Sequence, residues 1–387
     1  MLTVDPDDLT ALTRALRAAL DGTGPALALG ATPSATPTST PTSAPALTQS
    51  GASAPPLPEG TAVVLTTSGS TGVPKSVVLP ASALRASAQA TVELLGEGPW
   101  LLALPAGYVA GMQVLVRALV QGRTPHAIDG RFSPAAFVAA AERMPAGARF
   151  TSLVPAQLAT LLDAEAPTLR SFAAVLVGGQ ALAPALREKA TAAGVRVVRT
   201  YGSTETSGGC VYDGRVLPGV RVRIEAGEIQ IAGPTLATGY LGDAALTADR
   251  FIDADGERWY RTGDAGALEA GVLRVEGRLD NVIVSGGVNI SLDRVEQVVR
   301  TIPGMESAIV VGVPDERWGE ASVIVAVHND TRHNDTGQAG LLAAAREAVA
   351  AVLGAPARPS RLVLVDELDV LPSGKPDRER IRRALLN

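Results

Sequence analysis

A loop rich in glycine and hydroxyl residues is the first part of the sequence whose composition could do chemistry. Residues 66–76 (TTSGSTGVPKS) follow an apolar run that predicts a buried strand. Hydroxyl side chains, two glycines and Lys75 on one tight loop supply hydrogen-bond donors and a close backbone approach, which a polyphosphate requires. A Walker A loop is excluded, because that pattern places Gly directly before Lys, and Pro74 stands there without an N–H. A surface loop without a ligand is the alternative.

Lysine is rare in this chain, which makes each lysine informative. Only three of the 34 basic residues are lysines, and the rest are arginines. An ammonium group is compact and a guanidinium is planar and rigid, so we ask why a lysine was needed at each position. Lys75 belongs to the hydroxyl-rich loop, and Lys375 ends a Pro-Ser-Gly-Lys run near the C-terminus. Lys189 lies in a predicted helix beside Arg187 and Glu188, which indicates a solvent-exposed face.

Alternating strands and helices predict the framework that positions these residues. Strands separated by helices between residues 61 and 200 are typical of α/β layers with a mostly parallel sheet. The predicted strands cover residues 26–29, 62–66, 100–104, 150–154, 174–177 and 196–200, and the predicted helices cover residues 7–20, 82–95, 111–120, 134–143 and 155–163.

The character of the chain changes twice after residue 201. Short strands at residues 220–224, 228–231 and 273–275 predict a small β-rich subdomain, and an α+β pattern follows residue 280. We therefore expect an N-terminal domain over residues 1–279 and a smaller α+β domain over residues 280–387. In that second domain the predicted helices are 292–301 and 341–353, and the predicted strands are 306–313, 321–328 and 361–365. Residues 31–56 consist mainly of Ala, Thr, Ser and Pro, which predicts a flexible linker or loop.

Composition excludes several classes of protein. The chain has 387 residues, 46% of them hydrophobic, which is enough for a sizeable core in two or three domains. Its formal charge of −5 gives no electrostatic footprint for nucleic acid, and no run reaches the ~18 apolar residues of a membrane span. The single cysteine, Cys210, excludes a disulfide framework, has no basic neighbour to activate it and suits the cytoplasm. The first residues lack the pattern of a signal peptide, so we expect no secretion.

Six segments, in order along the chain, resemble the signatures of the adenylate-forming superfamily of acyl-CoA synthetases, peptide-synthetase adenylation domains and luciferases. One such motif alone is weak support, but six in order are specific. They cover the chain from about residue 61 to its end. The segments are 66–76, 201–205 (YGSTE), 259–264 (WYRTGD), 277–281 (GRLDN), 285–290 (SGGVNI) and 372–375 (PSGK).

The resemblance implies an ATP site. Tyr201 would stack on adenine, Thr204 would contact the α-phosphate, and Glu205 would bind Mg²⁺, a hard cation that prefers carboxylate oxygens. Asp264 would accept from the ribose hydroxyls, with Arg278 as its companion. Without the resemblance, Glu205 would be read as a solvated charge and Arg278 as part of a surface ion pair. The ATP-binding residues that the resemblance implies are Thr67, Ser68, Gly69, Ser70, Thr71, Gly72, Lys75, Gly179, Gln180, Ala181, Tyr201, Gly202, Ser203, Thr204, Asp264, Arg278 and Lys375.

The resemblance also implies a two-step reaction. Lys375 would bridge the substrate carboxylate and the α-phosphate, where it neutralises charge that grows in the transition state; an exposed C-terminal lysine is the alternative. Thr204 and Glu205 complete the implied catalytic set. Asp280 would be the hinge about which the C-terminal domain rotates after adenylation. Lys375 would then leave, and Ser285, Gly286 and Gly287 would line a tunnel for coenzyme A, whose thin arm suits glycine. A plain turn is the alternative for the two glycines.

The acid-binding pocket is predicted in residues 104–119, which correspond to the segment that lines the acyl pocket in relatives. Arg117 stands in an otherwise apolar helix, where a buried guanidinium is costly unless it is paired. We expect it to receive a second carboxylate of the substrate. Pairing with an internal carboxylate or extension to water are the alternatives. The resemblance adds Tyr108 and Gly111 to the pocket; many relatives have His in place of Tyr108, so the contribution of that His does not carry over.

One family within the superfamily fits these features. The Gly-x-Gln-Val-Leu-x-Arg run at residues 111–117 and SLVPAQL at residues 152–158 resemble the bacterial 2-succinylbenzoate–CoA ligases of menaquinone biosynthesis. Ala110 departs from the pattern, because some of these ligases have Ser there. The resemblance implies an aromatic dicarboxylate, ATP with Mg²⁺ and coenzyme A as the reactants, with one carboxylate activated and the other held by Arg117.

Other functions remain as alternatives at this point. Another aryl- or acyl-CoA ligase fits the same motifs. Loading of a carrier protein is disfavoured, since no carrier segment follows Lys375. A catalytically inactive nucleotide-binding regulator is disfavoured by the intact Lys375 and Glu205. We expect a cytoplasmic enzyme that does not bind nucleic acid or insert into a membrane, and a homodimer is the commonest default assembly.

Overall fold

The computed structural model describes residues 1–30, 56–67, 74–328, 337–371 and 374–386, so the predicted linker at residues 31–56 lies almost wholly outside the described residues. The strands are β1 Leu2–Thr3, β2 Leu27–Gly30, β3 Thr61–Thr67, β4 Lys75–Pro80, β5 Trp100–Leu102, β6 His126–Ala127, β7 Arg149–Leu153, β8 Phe172–Val177, β9 Val197–Ser203, β10 Gly208–Tyr212, β11 Arg215–Val216, β12 Arg221–Glu225, β13 Glu228–Ala232, β14 Gly239–Tyr240, β15 Phe251–Ala254, β16 Glu257–Glu269, β17 Val272–Arg278, β18 Val282–Ser285, β19 Val288–Ser291, β20 Ile309–Asp315, β21 Gly319–Val327 and β22 Arg361–Val365. The helices are α1 Leu9–Leu20, α2 Ala81–Leu95, α3 Val109–Val120, α4 Pro134–Glu142, α5 Pro155–Asp163, α6 Pro184–Ala192, α7 Ala244–Arg250, α8 Leu292–Val299, α9 Gly337–Leu353 and α10 Arg378–Leu386.

Within the described residues these strands form four sheets. The orders are β1-β2-β3-β4-β14, β11-β10-β9-β8-β7-β5-β6, β12-β13-β16-β15 with β17 on β16, and β19-β18-β21-β20 with β22 on β21. Strands β6, β5, β7, β8 and β9 pair in parallel, and antiparallel β10 and β11 close that sheet. The α/β class, with a large N-terminal part and a small C-terminal one, is confirmed.

The parallel sheet is buried on both faces, as helices on each side require. Along β8, Ala174 and Leu176 face one core while Val175 and Val177 face the other, which follows from the two-residue period of a strand. Because these strands run in parallel, their carboxyl ends meet at one edge of the sheet, where open α/β sheets bind ligands.

Helix α3 is buried around its circumference and is apolar except for Gln113 and Arg117, which is typical of a helix enclosed by other elements. Its residues from Gly111 to Leu119 are all buried. The start of the helix lies close to the chain before it: a Cβ added at Gly111 would lie 2.2 Å from the carbonyl oxygen of Pro105. A glycine at this position therefore seats the helix on the backbone that follows β5.

The small C-terminal sheet has its own two cores. Val310 and Ile324 pack with α8 and α9 on one face, while Val311 and Val323 pack with Ile381 of α10 on the other. The chain passes from β17 of the N-terminal part to β18 of this sheet between Arg278 and Val282. The boundary predicted at residues 279/280 falls in this connection.

The structure adds elements for which the sequence analysis names no strand or helix. Strand β4 follows the hydroxyl-rich loop directly, β18 and β19 form a hairpin, and α10 follows Lys375. Among the described residues, no helix is both long enough and apolar enough to cross a membrane.

Candidate functional site

The paired strands β3 and β4 flank the hydroxyl-rich loop. Thr67 pairs with Lys75 across β3 and β4, and the Thr66 and Ser76 hydroxyls lie 3.1 Å apart. This pairing holds Thr67 and Lys75 together at the carboxyl end of β3. The other predicted phosphate-binding residues of the loop, Ser68, Gly69, Ser70, Thr71 and Gly72, lie outside the described residues.

The segment after β9 carries the predicted metal and phosphate residues. Residues Thr204–Thr206 form a single 3-10 turn at the carboxyl end of the strand. The backbone N–H of Ser203 donates to Thr206 Oγ1 at 2.9 Å, and that hydroxyl in turn lies 2.8 Å from the carbonyl oxygen of Gly208. The turn is therefore fixed by its own side chains, and it places Thr204 and Glu205 beside each other at the edge of the sheet.

Tyr240 holds the carboxylate of Glu205. The Tyr240 hydroxyl donates to Glu205 Oε1 at 2.8 Å, and burial together with this carboxylate raises the pKa of Tyr240. The Lys75 ammonium lies 5.9 Å from the centre of the Tyr240 ring. One oxygen of Glu205 is thus engaged by the protein. Among the described residues no three His, Cys, Asp or Glu side chains cluster closely enough to bind a metal by themselves.

Asp264 lies at the centre of a second charged network, and we call the region between Asp264, Glu205 and Lys375 the cleft. Tyr201 donates to Asp264 Oδ2 at 2.6 Å, and Arg278 Nη1 donates to Oδ1 at 3.3 Å. Burial raises the pKa of Asp264, while the bonds from Tyr201 and Arg278 oppose that rise. The same guanidinium also binds both carboxylate oxygens of Asp280, at 3.0 and 2.9 Å. Arg278 therefore links the predicted ribose residue Asp264 to the predicted hinge residue Asp280.

Lys375 reaches this cleft from the C-terminal part. Hydrogen bonds fix the residue before it: Gly374 N donates to the Leu371 carbonyl at 2.8 Å, and Gln180 Nε2 donates to the Gly374 carbonyl at 3.0 Å. Lys375 as a whole residue is exposed, but protein atoms around its ammonium group displace part of the water there. This desolvation lowers the pKa of Lys375, and the carboxylates of Glu205 and Asp264 counteract it.

The structure thus brings together most of the predicted nucleotide residues that it describes. Thr204, Glu205, Asp264, Arg278 and Lys375 lie around one cleft. Gly179 adjoins Lys375, because a Cβ added at Gly179 would lie 3.7 Å from the lysine Cε. Tyr201 and Gln180 also join the cleft through the bonds given above, Ala181 follows Gln180, and Gly202 lies between Tyr201 and Ser203 on β9.

Arg117 lies deeper, in the core between α3 and the sheet. Its side chain is 3% exposed, so extension to water is excluded, and no carboxylate among the described residues pairs with it. Nη2 donates to the Tyr212 hydroxyl at 3.2 Å and Nη1 donates to Ser152 Oγ at 3.4 Å. The guanidinium carbon lies 4.8 Å from the centre of the Trp100 ring, and Nε has no hydrogen-bond partner. Burial lowers the pKa of Arg117, and the Tyr212 oxygen opposes this.

The remaining predicted residues lie on two further segments. Tyr108 is the residue before α3, and burial raises the pKa of its hydroxyl. Ser285 ends β18, and Gly286 and Gly287 form the turn of the β18–β19 hairpin with φ of +56° and +80°. Gly286 N donates to the Trp318 carbonyl at 2.9 Å. The turn is therefore fixed to Trp318 of its own sheet.

Sequence reasoning missed the neutral side chains that hold the charged ones. Tyr240 and Tyr212 are buried strand residues whose partners lie 35 and 95 residues away in the chain, at Glu205 and Arg117. Period-two alternation would have placed both rings in the core, but no local pattern indicates which charged group each hydroxyl meets.

Comparison with known proteins assigns the chain to a family. The model of the AMP-binding enzyme family matches residues 11–241, and that of the AMP-binding enzyme C-terminal domain matches residues 294–375. A probable 2-succinylbenzoate–CoA ligase of Mycobacterium tuberculosis is 42% identical over 331 residues, which cover 83% of this chain and 84% of the relative. The 2-succinylbenzoate–CoA ligase of Salmonella typhimurium is 36% identical over 67% of this chain and 56% of its own length.

Solved structures show the same fold. The o-succinylbenzoate CoA synthetase of Bacillus subtilis, in complex with its acyl-adenylate intermediate, superposes with a TM-score of 0.70 at 28% identity, over 83% of this chain and 69% of that one. An amide bond synthetase of Marinactinospora thermotolerans gives a TM-score of 0.72 at 29% identity, over 84% of this chain and 70% of that one. The motifs, the cleft and these matches agree that the chain belongs to the AMP-binding enzyme family.

Proposed function

We propose that this chain is an ATP-dependent, AMP-forming acid–CoA ligase whose acid is 2-succinylbenzoate. In the first step the acid carboxylate attacks the α-phosphorus of ATP, and pyrophosphate leaves. In the second step the thiolate of coenzyme A attacks the acyl carbon of the adenylate, and AMP leaves. The curated relatives that support the choice of reaction carry this ligase activity in their names.

One observation carries the choice of acid: the buried Arg117 guanidinium has no internal carboxylate partner among the described residues. A charge taken out of water is costly unless an opposite charge and good hydrogen bonds compensate it. The substrate is a dicarboxylate, so one carboxylate can react near Thr204 while the second neutralises Arg117. Tyr108 and Gly111, at the N-terminal end of the same helix, would be the other residues that line the acid pocket.

The residues of the cleft fit ATP with Mg²⁺. Tyr240 holds one oxygen of Glu205, and Lys75 lies near the Tyr240 ring. A single carboxylate suits Mg²⁺, because this ion takes most of its ligands from phosphate and water. When bound, the ion neutralises charge on the phosphates. Asp264 has carboxylate oxygens to accept from the ribose hydroxyls, and Tyr201 offers its ring to the base.

Lys375 supplies the charge that the first step needs. Two anions must meet, and an ammonium beside both stabilises the transition state more than the ground state. The carboxylates of Glu205 and Asp264 lie close enough to interact with the Lys375 ammonium, which supports a role for Lys375 in the first step. Rotation about Asp280 would then withdraw Lys375 and bring Ser285, Gly286 and Gly287 to the cleft for coenzyme A, so one cleft would serve both steps.

An acid panel tests the proposal. Purified protein is incubated with ATP, Mg²⁺ and single acids, and pyrophosphate release is measured, followed by thioester formation on addition of coenzyme A. We expect 2-succinylbenzoate to give the highest kcat/KM. A different acid with higher kcat/KM would establish another aryl- or acyl-CoA ligase instead. ATP binding with no turnover of any acid would indicate a nucleotide-binding regulator.

Location and assembly follow as further proposals. ATP and coenzyme A as reactants support a cytoplasmic enzyme without nucleic-acid or membrane partners. A homodimer stays a prediction, which sedimentation equilibrium tests directly: a single species at the monomer mass would contradict it.

A further inference from the structure

A group of uncharged side chains surrounds the Arg117 guanidinium. Trp100 stacks on it, and the hydroxyls of Tyr212 and Ser152 accept from it. Behind Tyr212, the Thr91 hydroxyl lies 3.0 Å from the phenol oxygen. We call Trp100, Ser152, Thr91 and Tyr212 the Arg117 cradle. All four are buried, and Thr91 is fully so.

The hydrogen bonds of the cradle run in one direction. Arginine has donors only, so Tyr212 must accept from Arg117. Thr91 uses its single hydrogen on the Ser87 carbonyl oxygen at 2.9 Å, so it can only accept from Tyr212. The order is therefore Arg117 to Tyr212, Tyr212 to Thr91, and Thr91 to the backbone. Each bond in such a chain polarises the next, which places more negative charge on the Tyr212 oxygen facing the guanidinium.

We propose that Tyr212 is a positioning residue that, through this chain, aims Arg117 at the second carboxylate of the substrate and thereby sets the preference for dicarboxylic over monocarboxylic acids. The proposal rests on the proposed function, in which Arg117 receives that carboxylate. Tyr212 itself touches the guanidinium and not the acid.

The cradle stabilises the cation without neutralising it. Hydroxyls and an indole ring lower the cost of burying a guanidinium, but they bring no formal negative charge. Nε has no partner, and the bond from Nη1 to Ser152 is long at 3.4 Å, so donors remain available for a ligand. A carboxylate of the substrate is the group that completes this arrangement, and a monocarboxylic acid of the same length leaves it incomplete.

The test compares two acids in the full-length enzyme: 2-succinylbenzoate and the same acid without its ring carboxylate. Tyr212→Phe removes the hydroxyl and keeps the ring. We expect KM for the dicarboxylate to rise about tenfold, with kcat and KM for ATP within about twofold, because a hydrogen bond to a charged group is lost. The kcat/KM for the monocarboxylate should stay the same. Thr91→Val, which removes the acceptor behind the phenol together with the bond to the Ser87 carbonyl, should raise the dicarboxylate KM about threefold.

Thr151→Val is the matched control. Thr151 is fully buried on the same strand as Ser152, but its hydroxyl donates to the Leu101 carbonyl at 2.9 Å and not to the cradle. Loss of this hydroxyl tests whether any buried hydroxyl deletion has the same effect. Equal losses for both acids in Tyr212→Phe, or a dicarboxylate KM that rises as much in Thr151→Val, would show a merely structural role and overturn the proposal.

A double-mutant cycle separates this inference from the proposed function. If Tyr212 acts through Arg117, Tyr212→Phe has no further effect on KM in the Arg117→Ala background. Additive effects in the double variant would refute it. An Arg117→Ala enzyme with unchanged KM for 2-succinylbenzoate would instead refute the substrate assignment. A large Arg117→Ala effect with a silent Tyr212→Phe would refute the positioning role alone.

Discussion

The two halves of the cleft balance charge in opposite ways. On the nucleotide side, Arg278 is shared by Asp264 and Asp280, and the carboxylate of Glu205 lies near Lys375. On the acyl side, one buried guanidinium, Arg117, is surrounded by neutral groups. The nucleotide half contains both signs of charge, whereas no described residue supplies a negative charge to the acyl half.

This difference separates general from specific recognition. In the proposed function, ion pairs within the protein would organise the ATP site. An unpaired buried cation would make the protein select an acid that carries the missing charge. Internal ion pairs stabilise the nucleotide side, while the acyl side holds a buried charge with no counterion among the described residues, which is destabilising.

The largest effect is expected from Lys375→Ala. Loss of one group that stabilises transition-state charge typically lowers the rate by about 10²–10³. We expect that loss in pyrophosphate release, with thioester formation from supplied acyl-adenylate spared, because Lys375 acts in the first step only. Lys189→Ala is the control, since Lys189 is an exposed lysine paired with Asp163. Equal loss of both half-reactions would contradict the rotation about Asp280.

Arg117→Ala should act on the other half of the cleft. We expect KM for 2-succinylbenzoate to rise about 50-fold, since truncating one partner of a buried charged contact costs about 2–5 kcal/mol. KM for ATP should change less than about twofold. Steady-state kinetics with each substrate varied in turn gives both values. A parallel rise in both KM values would mean that the two halves are not separate.

Asp264→Asn should give the complementary result. The neutral amide keeps the size of the side chain but weakens acceptance from the ribose hydroxyls and the attraction to Arg278, so we expect KM for ATP to rise about tenfold. KM for the acid should be unaffected. Asp255→Asn, at an exposed ion pair with Arg223 on the surface, is the control. An acid-specific effect of Asp264→Asn would reverse the assignment of the two halves.

The pH dependence of adenylation should reflect Lys375. Desolvation lowers the pKa of this lysine, and the ammonium is the active form. The rate of pyrophosphate release should therefore fall as pH rises through this lowered pKa, before an ordinary lysine would lose its proton. Lys375→Arg, which stays protonated throughout, should be slower but lack this alkaline decline. The same decline in both proteins would assign it to another group.

The smallest expected effect is on the free energy of unfolding of the protein without ligands. Replacing an unpaired buried cation with an apolar side chain is neutral or stabilising, so Arg117→Leu should leave the free energy of unfolding unchanged or raise it by about 1 kcal/mol. Arg278→Leu should lower it by about 1 kcal/mol, because Asp264 loses its counterion. Urea titrations of the two variants measure the difference. Destabilisation by both substitutions to the same degree would remove the contrast between the halves.

The periodic parts of the fold were predictable from the sequence. Residues 174–177 form a short apolar run and residues 228–231 alternate polar and apolar side chains, and these runs lie in β8 and β13. The β18–β19 hairpin was not predicted, although the Gly286-Gly287 pair between two short β-branched runs is a local hairpin signal. Its outward-facing Val282 and Val284 are exposed and alternate with buried residues over only four positions.

The charged residues of the site were also predictable, but their neutral partners were not. Motifs pointed to Glu205, Asp264 and Lys375, and a lone Arg in an apolar helix pointed to Arg117. Tyr240 and Tyr212 reach those residues only through contacts between distant elements. Residues 68–72, which the sequence places at the phosphates, lie outside the described part of the chain, so their role stays a prediction.

The lone cysteine has a practical consequence. Cys210 is fully buried, and desolvation raises its pKa to about 12, so little of it is thiolate at neutral pH. A thiol-reactive dye would therefore label only cysteines introduced by design, with no need to remove the natural one. One introduced cysteine on each side of the connection between β17 and β18 would carry a dye. Energy transfer between the two dyes would then report their distance during a single catalytic cycle, and so test the proposed domain rotation.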